Sequence, residues 1–142
     1  MKVAIKNVKI FYPGSQETLC FDASLYIDGK RVGEVSNQGT GGPNNCYILD
    51  RAVRKAFLKY CAGISKDEDE VIGELLETTQ RKMEYKKWVR NAVVFRLKTD
   101  KEGSYRTIKA KGLTQKDMAI AHVHAKYGKK VDYIINERIG KV

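Results

Sequence analysis

The first third of the chain alternates apolar and polar positions in the way that β-strands do. Residues 3–12, 18–27 and 31–35 each carry apolar side chains at mostly alternate positions. A slip of one residue near Asn7 indicates a β-bulge. Asp28-Gly29, between the second and third segments, suits the left-handed backbone of a tight hairpin turn. These residues therefore predict an antiparallel meander.

A glycine-rich stretch, VGEVSNQGTGGPNN at residues 32–45, follows the meander. We expect a loop here, since neither a helix nor a strand tolerates so much Gly, Pro and Asn. Helical spacing over 47–61 predicts a helix directly after it, capped by Asn44 or Asn45. A loop that leads into a helix start can bind an anion through backbone N–H groups. The alternative is a plain connection whose glycines only supply positive φ.

A long helix is predicted over residues 65–90. Ser65 is placed to cap it, and four acidic residues at 67–70 oppose the positive end of its dipole. A helix of this length exceeds what a small sheet can cover, so we expect a homodimer, or a higher homo-oligomer, with this helix in the interface. The alternative is two helices broken at Gly73.

The last third predicts a β-β-α-β unit. Strands are expected over 91–98 and 105–111 around a turn at 100–104, followed by a helix over 114–127 and a strand over 131–135. We therefore predict an α+β fold with an antiparallel sheet, a long helix and this carboxyl-terminal unit. The 142 residues are expected to form a single domain, organised as 1–64, 65–90 and a basic part, 91–142.

The positive charge is confined to the second half of the chain. Residues 1–80 hold ten Lys or Arg and eleven Asp or Glu, whereas residues 81–142 hold seventeen and six, a net charge of +11. A basic region of this kind attracts nucleic acid, phosphorylated small molecules or an acidic protein. The alternative is a lysine-rich surface that only maintains solubility.

Catalytic and metal-binding signatures are missing from the sequence. The three cysteines are widely spaced without a CxxC motif, which favours free thiols. His122 and His124 would lie about 200° apart around a helix, so they cannot share a metal ion. We expect neither an enzyme nor a cofactor or metal site. With no apolar run long enough for a membrane span and no leader pattern, a cytoplasmic location is expected.

Aromatic and basic residues alternate around the end of the long helix and the two strands after it, a composition that can stack a base and hold phosphates. The alternative is a set of core aromatics flanked by surface charge. We expect ligand contacts from the glycine loop, the helix after it and this aromatic region. The candidate residues are Asn37, Gly39, Gly41, Gly42, Asn44, Arg54, Trp88, Arg90, Asn91, Phe95, Arg96, Tyr105 and Arg106.

The segment CFDASLYIDGKRVGEVSN at residues 20–37, the GTGG at 39–42 and the order of sheet and long helix resemble the phage Thoeris anti-defence sponge family. The resemblance implies a bacteriophage protein that acts without catalysis in the cytoplasm of an infected bacterium. It implies sequestration of a cyclic ADP-ribose isomer, a signalling nucleotide, in pockets that combine residues of two chains.

Two other functions remain open from the residues alone. The basic carboxyl-terminal part could belong to a nucleic-acid-binding phage regulator or an anti-restriction protein. It could also dock on an acidic groove of a host protein.

Overall fold

The computed structural model describes residues 1–139 and has the α+β fold that the sequence predicts. A single domain is the prediction from the sequence. The chain packs as two compact units, Met1–Thr79 (unit 1) and Gln80–Val142 (unit 2).

Unit 1 contains a four-stranded antiparallel sheet in the order β1-β2-β3-β4. Its strands are β1 (Val3–Ile10), β2 (Phe21–Ile27), β3 (Lys30–Asn37) and β4 (Asn45–Ile48). The predicted bulge is confirmed, since the pairing of β1 with β2 shifts between Lys6 and Lys9 and Asn7 has a φ of 55°. The predicted hairpin turn is also confirmed, because Asp28 and Gly29 have φ values of 50° and 82°.

Two helices, α1 (Arg51–Gly63) and α2 (Glu68–Trp88), follow the first sheet. Phe57 of α1 and Ile72 of α2 are fully buried in one core with Leu25 of β2. Apolar positions at helical spacing thus meet the apolar positions that alternate along the strands.

The glycine-rich stretch is shorter as a loop than predicted. Strand β3 continues through Asn37 and β4 begins at Asn45, so the loop covers only residues 38–44. Gly33 lies within β3. A Cβ at this position would meet the backbone carbonyl of Tyr47 on β4, so the close approach of the two strands requires glycine here. The third strand, predicted over 31–35, therefore runs two residues further into this stretch than expected.

Helix α1 begins at Arg51 and not near Tyr47. Residues 45–48 pair with β3 instead, and Asp50 caps the helix by accepting from the backbone N–H groups of Ala52 (2.9 Å) and Val53 (3.2 Å). The predicted caps Asn44 and Asn45 were wrong. The glycine loop does not lead directly into a helix, so no helix amino terminus lies beside it in the chain.

Helix α2 is one helix of 21 residues that continues through Gly73, so the alternative of two broken helices was wrong. It begins later than predicted, because Ser65 adopts a left-handed φ of 57°. Asp67 supplies the cap by accepting from the N–H of Glu70 at 2.8 Å. The boundary between the two units falls within α2, after Thr79. The homodimer expected from the length of this helix stays a prediction.

Unit 2 has the predicted β-β-α-β order. It consists of β5 (Ala92–Leu97), β6 (Arg106–Lys109), α3 (Gly112–Tyr127) and β7 (Val131–Ile134), and its antiparallel sheet has the order β6-β5-β7. Helix α3 begins at Gly112, two residues before the predicted start at Thr114. A short helix that the sequence did not predict, α4 (Ile135–Arg138), ends the described chain.

The two faces of this second sheet are covered differently. Val93, Phe95 and Leu97 of β5 pack with Val123 of α3 in one core. On the opposite face, Ala92 and Val94 pack with residues of α4 and with aromatic side chains. Because successive residues of a strand point to opposite faces, β5 supplies both layers.

Candidate functional site

The side chain of Asn37 braces the glycine loop from within. Asn37 is only 5% exposed. Its Oδ1 accepts from the hydroxyl of Thr18 (2.7 Å) and from the N–H of Gly39 (2.8 Å). Its Nδ2 donates to the carbonyl of Gly42 (3.3 Å) and to Oδ1 of Asn44 (3.1 Å). Both polar atoms of this candidate ligand-binding residue are thus used inside the protein.

Three consecutive backbone N–H groups do converge near the loop, and they converge on the carbonyl oxygen of Gly39. Those of Gln16 and Glu17 lie 2.9 and 3.0 Å away, and that of Thr18 lies 3.4 Å away. Such converging amides are the geometry that holds phosphate oxygens elsewhere. In unit 1 this position is filled by the protein's own backbone.

Two further N–H groups of the loop also have partners within unit 1. The N–H of Asn44 donates to Oδ1 of Asp69 at 2.7 Å, and that of Gly41 donates to the Thr18 hydroxyl at 3.3 Å. A Cβ on Gly41 would touch the carboxylate of Glu17. Negative charge at this distance opposes a phosphate. The geometry therefore favours a structural role for Gly39, Gly41 and Asn44.

Arg54 holds elements of unit 1 together. Its Nη1 donates to the carbonyl of Cys46 on β4 at 3.3 Å, and its Nη2 lies 3.5 Å from Oε2 of Glu68 on α2.

Burial, with a further contribution from Glu68, raises the pKa of the Cys46 thiol to about 11. Burial also raises the pKa of Cys61. These two thiols are protonated at neutral pH and are poor nucleophiles.

In unit 2, Arg96 is engaged by its own surroundings. Its Nε lies 2.9 Å from Oδ2 of Asp132 on β7, and its Nη atoms donate to the carbonyls of Asp100 (3.1 Å) and Lys101 (3.4 Å). This guanidinium group therefore joins β5 to the neighbouring strand and to the turn after it.

Arg106 is paired as well. It binds Asp100 through two hydrogen bonds, Nε to Oδ2 at 3.1 Å and Nη2 to Oδ1 at 3.0 Å. These bonds, with one from the N–H of Leu97, lower the pKa of Asp100 to about 2. Arg106 therefore fixes the turn between β5 and β6.

Three further candidates divide between core and surface. Phe95 is 2% exposed and packs on Tyr127 in the α3 core, with ring centroids 5.6 Å apart, so no ligand can stack on it in this conformation. Arg90 and Asn91 are exposed between α2 and β5. The carbonyl of Asn91 accepts from the N–H of Ala110 at 3.1 Å.

Four rings form a continuous aromatic cluster on the face of the second sheet that does not contact α3. They are Tyr85, Trp88, Tyr105 and Tyr133. The ring centroid of Trp88 lies 5.5 Å from that of Tyr85 and 5.4 Å from that of Tyr105, and the centroids of Tyr105 and Tyr133 are 6.2 Å apart. The hydroxyl groups of Tyr105 and Tyr133 are 2.8 Å apart. This hydrogen bond and burial raise the pKa of Tyr105. Trp88 is the exposed member, at 42%.

A cavity of about 380 Å³ lies beside the aromatic cluster, lined by Trp88, Val94, Gly103, Tyr105 and Thr107. Lys109 lies on the same side of β6 as Thr107, because alternate residues of a strand share a face. Thr107, Lys109 and Tyr133 are not among the candidate residues predicted from the sequence. The alternation along residues 105–109 is the signal that could have identified the first two.

Many lysines of unit 2 lack an acidic partner. Within residues 80–139, exposed lysines that form no ion pair occur on α2, on β6, on α3 and in the turn before β7; they include Lys86, Lys87, Lys109, Lys126, Lys129 and Lys130. Three of the six carboxylates of unit 2 are held by Arg96, Arg106 and His124. The exposed cations therefore determine the charge that unit 2 presents to solvent.

Comparisons with protein families, curated proteins and solved structures found no match to this chain. Across residues 1–139, no three His, Cys, Asp or Glu side chains are grouped so that they could hold a metal ion. None of the helices in that range is both long and apolar enough to cross a membrane.

Proposed function

We propose that unit 2 binds nucleic acid through its exposed lysines. The observation that carries the proposal is the separation of charge between the two compact units. Unit 1 contains ten basic and eleven acidic residues, and unit 2 contains seventeen and six. A net charge of +11 on some 60 residues produces a long-range field that attracts a polyanion.

The local pairing of side chains supports this proposal. Arg96 and Arg106 are bound to carboxylates, so they stabilise the sheet, whereas lysines such as Lys109 and Lys126 have no carboxylate partner within residues 1–139. A lysine without a partner can neutralise a phosphate and release its counterion without first losing an ion pair. The stabilising and the binding cations of unit 2 are therefore different residues.

The test is the affinity for a fluorescently labelled oligonucleotide, measured by anisotropy at several salt concentrations. Binding through phosphates should weaken steeply between about 50 and 200 mM salt. The double substitution Lys129→Glu and Lys130→Glu should weaken binding and reduce the slope against log salt by about 1 or more.

The matched control is Lys55→Glu with Lys59→Glu on α1. It changes the net charge by the same amount at exposed positions of unit 1. Equal losses of affinity in both double variants would show that overall charge, and not unit 2, determines binding. No binding to any oligonucleotide at low salt would overturn the proposal.

A second candidate function is sequestration of a small cyclic nucleotide, which the resemblance to the anti-defence sponges implies. The observation that favours it is the 380 Å³ cavity beside Trp88 and Tyr105, where an adenine could stack and the hydroxyl of Thr107 could donate a hydrogen bond. Lys109, on the same face of β6, could pair with a phosphate.

Thermal unfolding with a cyclic ADP-ribose isomer tests this second candidate. A ligand that binds the folded state must raise the melting temperature, and recovery of the unchanged nucleotide after heating would exclude cleavage. Trp88→Ala should abolish the rise. A melting temperature that is unaffected by saturating nucleotide would eliminate this function.

A further inference from the structure

We infer that the aromatic cluster stacks an unpaired base on Trp88, so that unit 2 prefers single-stranded nucleic acid to a duplex. The inference rests on the proposed nucleic-acid function and names its substrate class. It depends on the aromatic side chains, whereas the phosphate contacts of the proposed function require only lysines.

The aromatic cluster holds Trp88 in place while leaving it accessible. The ring centroids of Tyr85 and Tyr105 lie 5.5 and 5.4 Å from that of Trp88, and the rings are tilted. The hydrogen bond between the hydroxyls of Tyr105 and Tyr133 fixes the ring of Tyr105. With 42% of its surface exposed, Trp88 still presents indole to solvent. A ring that is immobilised before binding loses little conformational entropy when a base stacks on it.

The polar groups around the cavity suit a nucleotide backbone. Thr107 is exposed and lines the cavity, and Lys109 lies two residues further along the same face of β6. Lys86 and Lys87 are exposed in the helical turn that precedes Trp88. Lys109 could therefore pair with the phosphate of a stacked nucleotide, whereas Lys86 and Lys87, about 200° and 100° around α2 from Trp88, could reach only the phosphates of neighbouring nucleotides.

A duplex cannot use this site without losing base pairs. Every base within a duplex is already stacked on both faces, so exposing one face to Trp88 requires unstacking that costs a few kcal/mol. A single strand exposes its bases without this cost. Any base can stack on an indole ring, so we expect little dependence on sequence.

Trp88 is the only tryptophan of the chain, so the intrinsic tryptophan fluorescence reports on this site alone. The wild-type protein is titrated with an oligothymidylate of about 12 nucleotides and, separately, with a duplex of the same length. We expect quenching by the single strand, weak quenching by the duplex, and a preference for the single strand of about tenfold or more in Kd.

Variants are measured with a labelled oligothymidylate by anisotropy, after their melting temperatures have been recorded. Trp88→Ala should weaken binding about tenfold or more, since stacking contributes about 1–3 kcal/mol per base. Trp88→Phe should retain most of the affinity because it keeps an aromatic face. Tyr47→Ala is the control, since Tyr47 is 72% exposed but belongs to unit 1, and it should bind like the wild type.

The results separate the two proposals. Tight binding of the single strand without a change in tryptophan fluorescence would overturn the stacking inference and leave the nucleic-acid function standing. Equal affinity for the duplex and the single strand would do the same. Absence of binding to either at low salt would overturn both. Because the fluorescence is measured on the wild type, the inference remains testable even if Trp88→Ala fails to fold.

Discussion

The glycine loop of unit 1 and the aromatic cluster of unit 2 both have the composition of a ligand site, yet their polar groups are used in opposite ways. Asn37 and the N–H groups of Gly39, Gly41 and Asn44 are bonded to other atoms of unit 1. In unit 2, lysines such as Lys109 and Lys129 have no acidic partner within residues 1–139, and Trp88 is 42% exposed. The difference shows that composition identifies groups able to bind a ligand, whereas hydrogen-bond partners show which of them remain free.

The reason for this difference lies in burial, because the polar atoms that brace the loop are shielded from water and the lysines of unit 2 are exposed. The loop connects β3 to β4 and would lose stability if its buried polar atoms were left unpaired. The exposed lysines of unit 2 are hydrated, so leaving them unpaired costs little. We therefore expect substitutions in the loop to act on stability, and substitutions in the basic and aromatic surface of unit 2 to act on binding.

The largest effect on stability should come from Gly39→Ala. Gly39 has a φ of 84°, and a Cβ there would collide with the backbone carbonyl of Gly14. We expect a loss of about 2–4 kcal/mol in the free energy of unfolding. Gly42→Ala is the matched control, because its φ is 83° but no atom lies within 4 Å of the added Cβ. It should lose only about 1–2 kcal/mol.

Urea unfolding of the two glycine variants measures this difference. The oligonucleotide affinity of each folded variant should equal that of the wild type. Equal losses of stability for both variants would contradict the predicted collision at Gly39. A loss of affinity in Gly42→Ala with stability retained would return the glycine loop to the ligand site.

A smaller loss is expected for Asn37→Ala. Removing this amide leaves the N–H of Gly39 and the hydroxyl of Thr18 without their acceptor inside the protein. Leaving a buried group unsatisfied costs about 1–3 kcal/mol, and we expect the total to lie within that range. Asn45→Ala is the control at an exposed position of β4, where the change should be within about 0.5 kcal/mol. Chemical denaturation that showed no difference between them would contradict the bracing role.

The smallest effect, and a pH-dependent one, is expected at the pair of Asp100 and Arg106. Because the pKa of Asp100 is lowered to about 2 from its ordinary value of 3.8, its contribution to stability is present above pH 4. That contribution is lost as the pH falls from about 4 to about 2. Asp100→Asn should therefore lower the melting temperature of the protein at pH 7 and leave it nearly unchanged at pH 2.

Arg106→Ala should show the same loss at pH 7. Arg90→Ala serves as its control because Arg90 is exposed and forms no ion pair with the residues that the structure describes. Differential scanning calorimetry over this pH range provides the measurement. If Arg106→Ala left the melting temperature unchanged at pH 7 while weakening oligonucleotide binding, Arg106 would be a ligand contact and not a stabilising residue.

Local patterns predicted most of the fold. Alternation and turn chemistry predicted β1, β2 and the hairpin at Asp28-Gly29, and they predicted the β-β-α-β order of unit 2. The start of α1 could not be predicted in this way, since Cys46, Tyr47 and Ile48 fit an apolar helical stripe as well as a strand. Pairing with β3, a tertiary contact, decides it.

The candidate site was less accessible to sequence reasoning. The polar groups of the loop are occupied by distant residues. Thr18, 19 residues from Asn37, donates to its side chain, and Asp69, 25 residues from Asn44, accepts from its N–H group. No local pattern connects such residues. The same limit applies to Arg106, whose partner Asp100 lies across a turn. Trp88 and Tyr105 were selected from composition, and their contact depends on the sheet that brings them together.

The most direct test of the account is amide hydrogen exchange of the full chain with and without a saturating oligothymidylate, read by mass spectrometry. We predict slower exchange with ligand in the segments 81–90 and 103–111, which carry Trp88, Tyr105 and Lys109, and unchanged exchange in the loop, 38–44. Slower exchange in the loop with no change in those two segments of unit 2 would contradict the account.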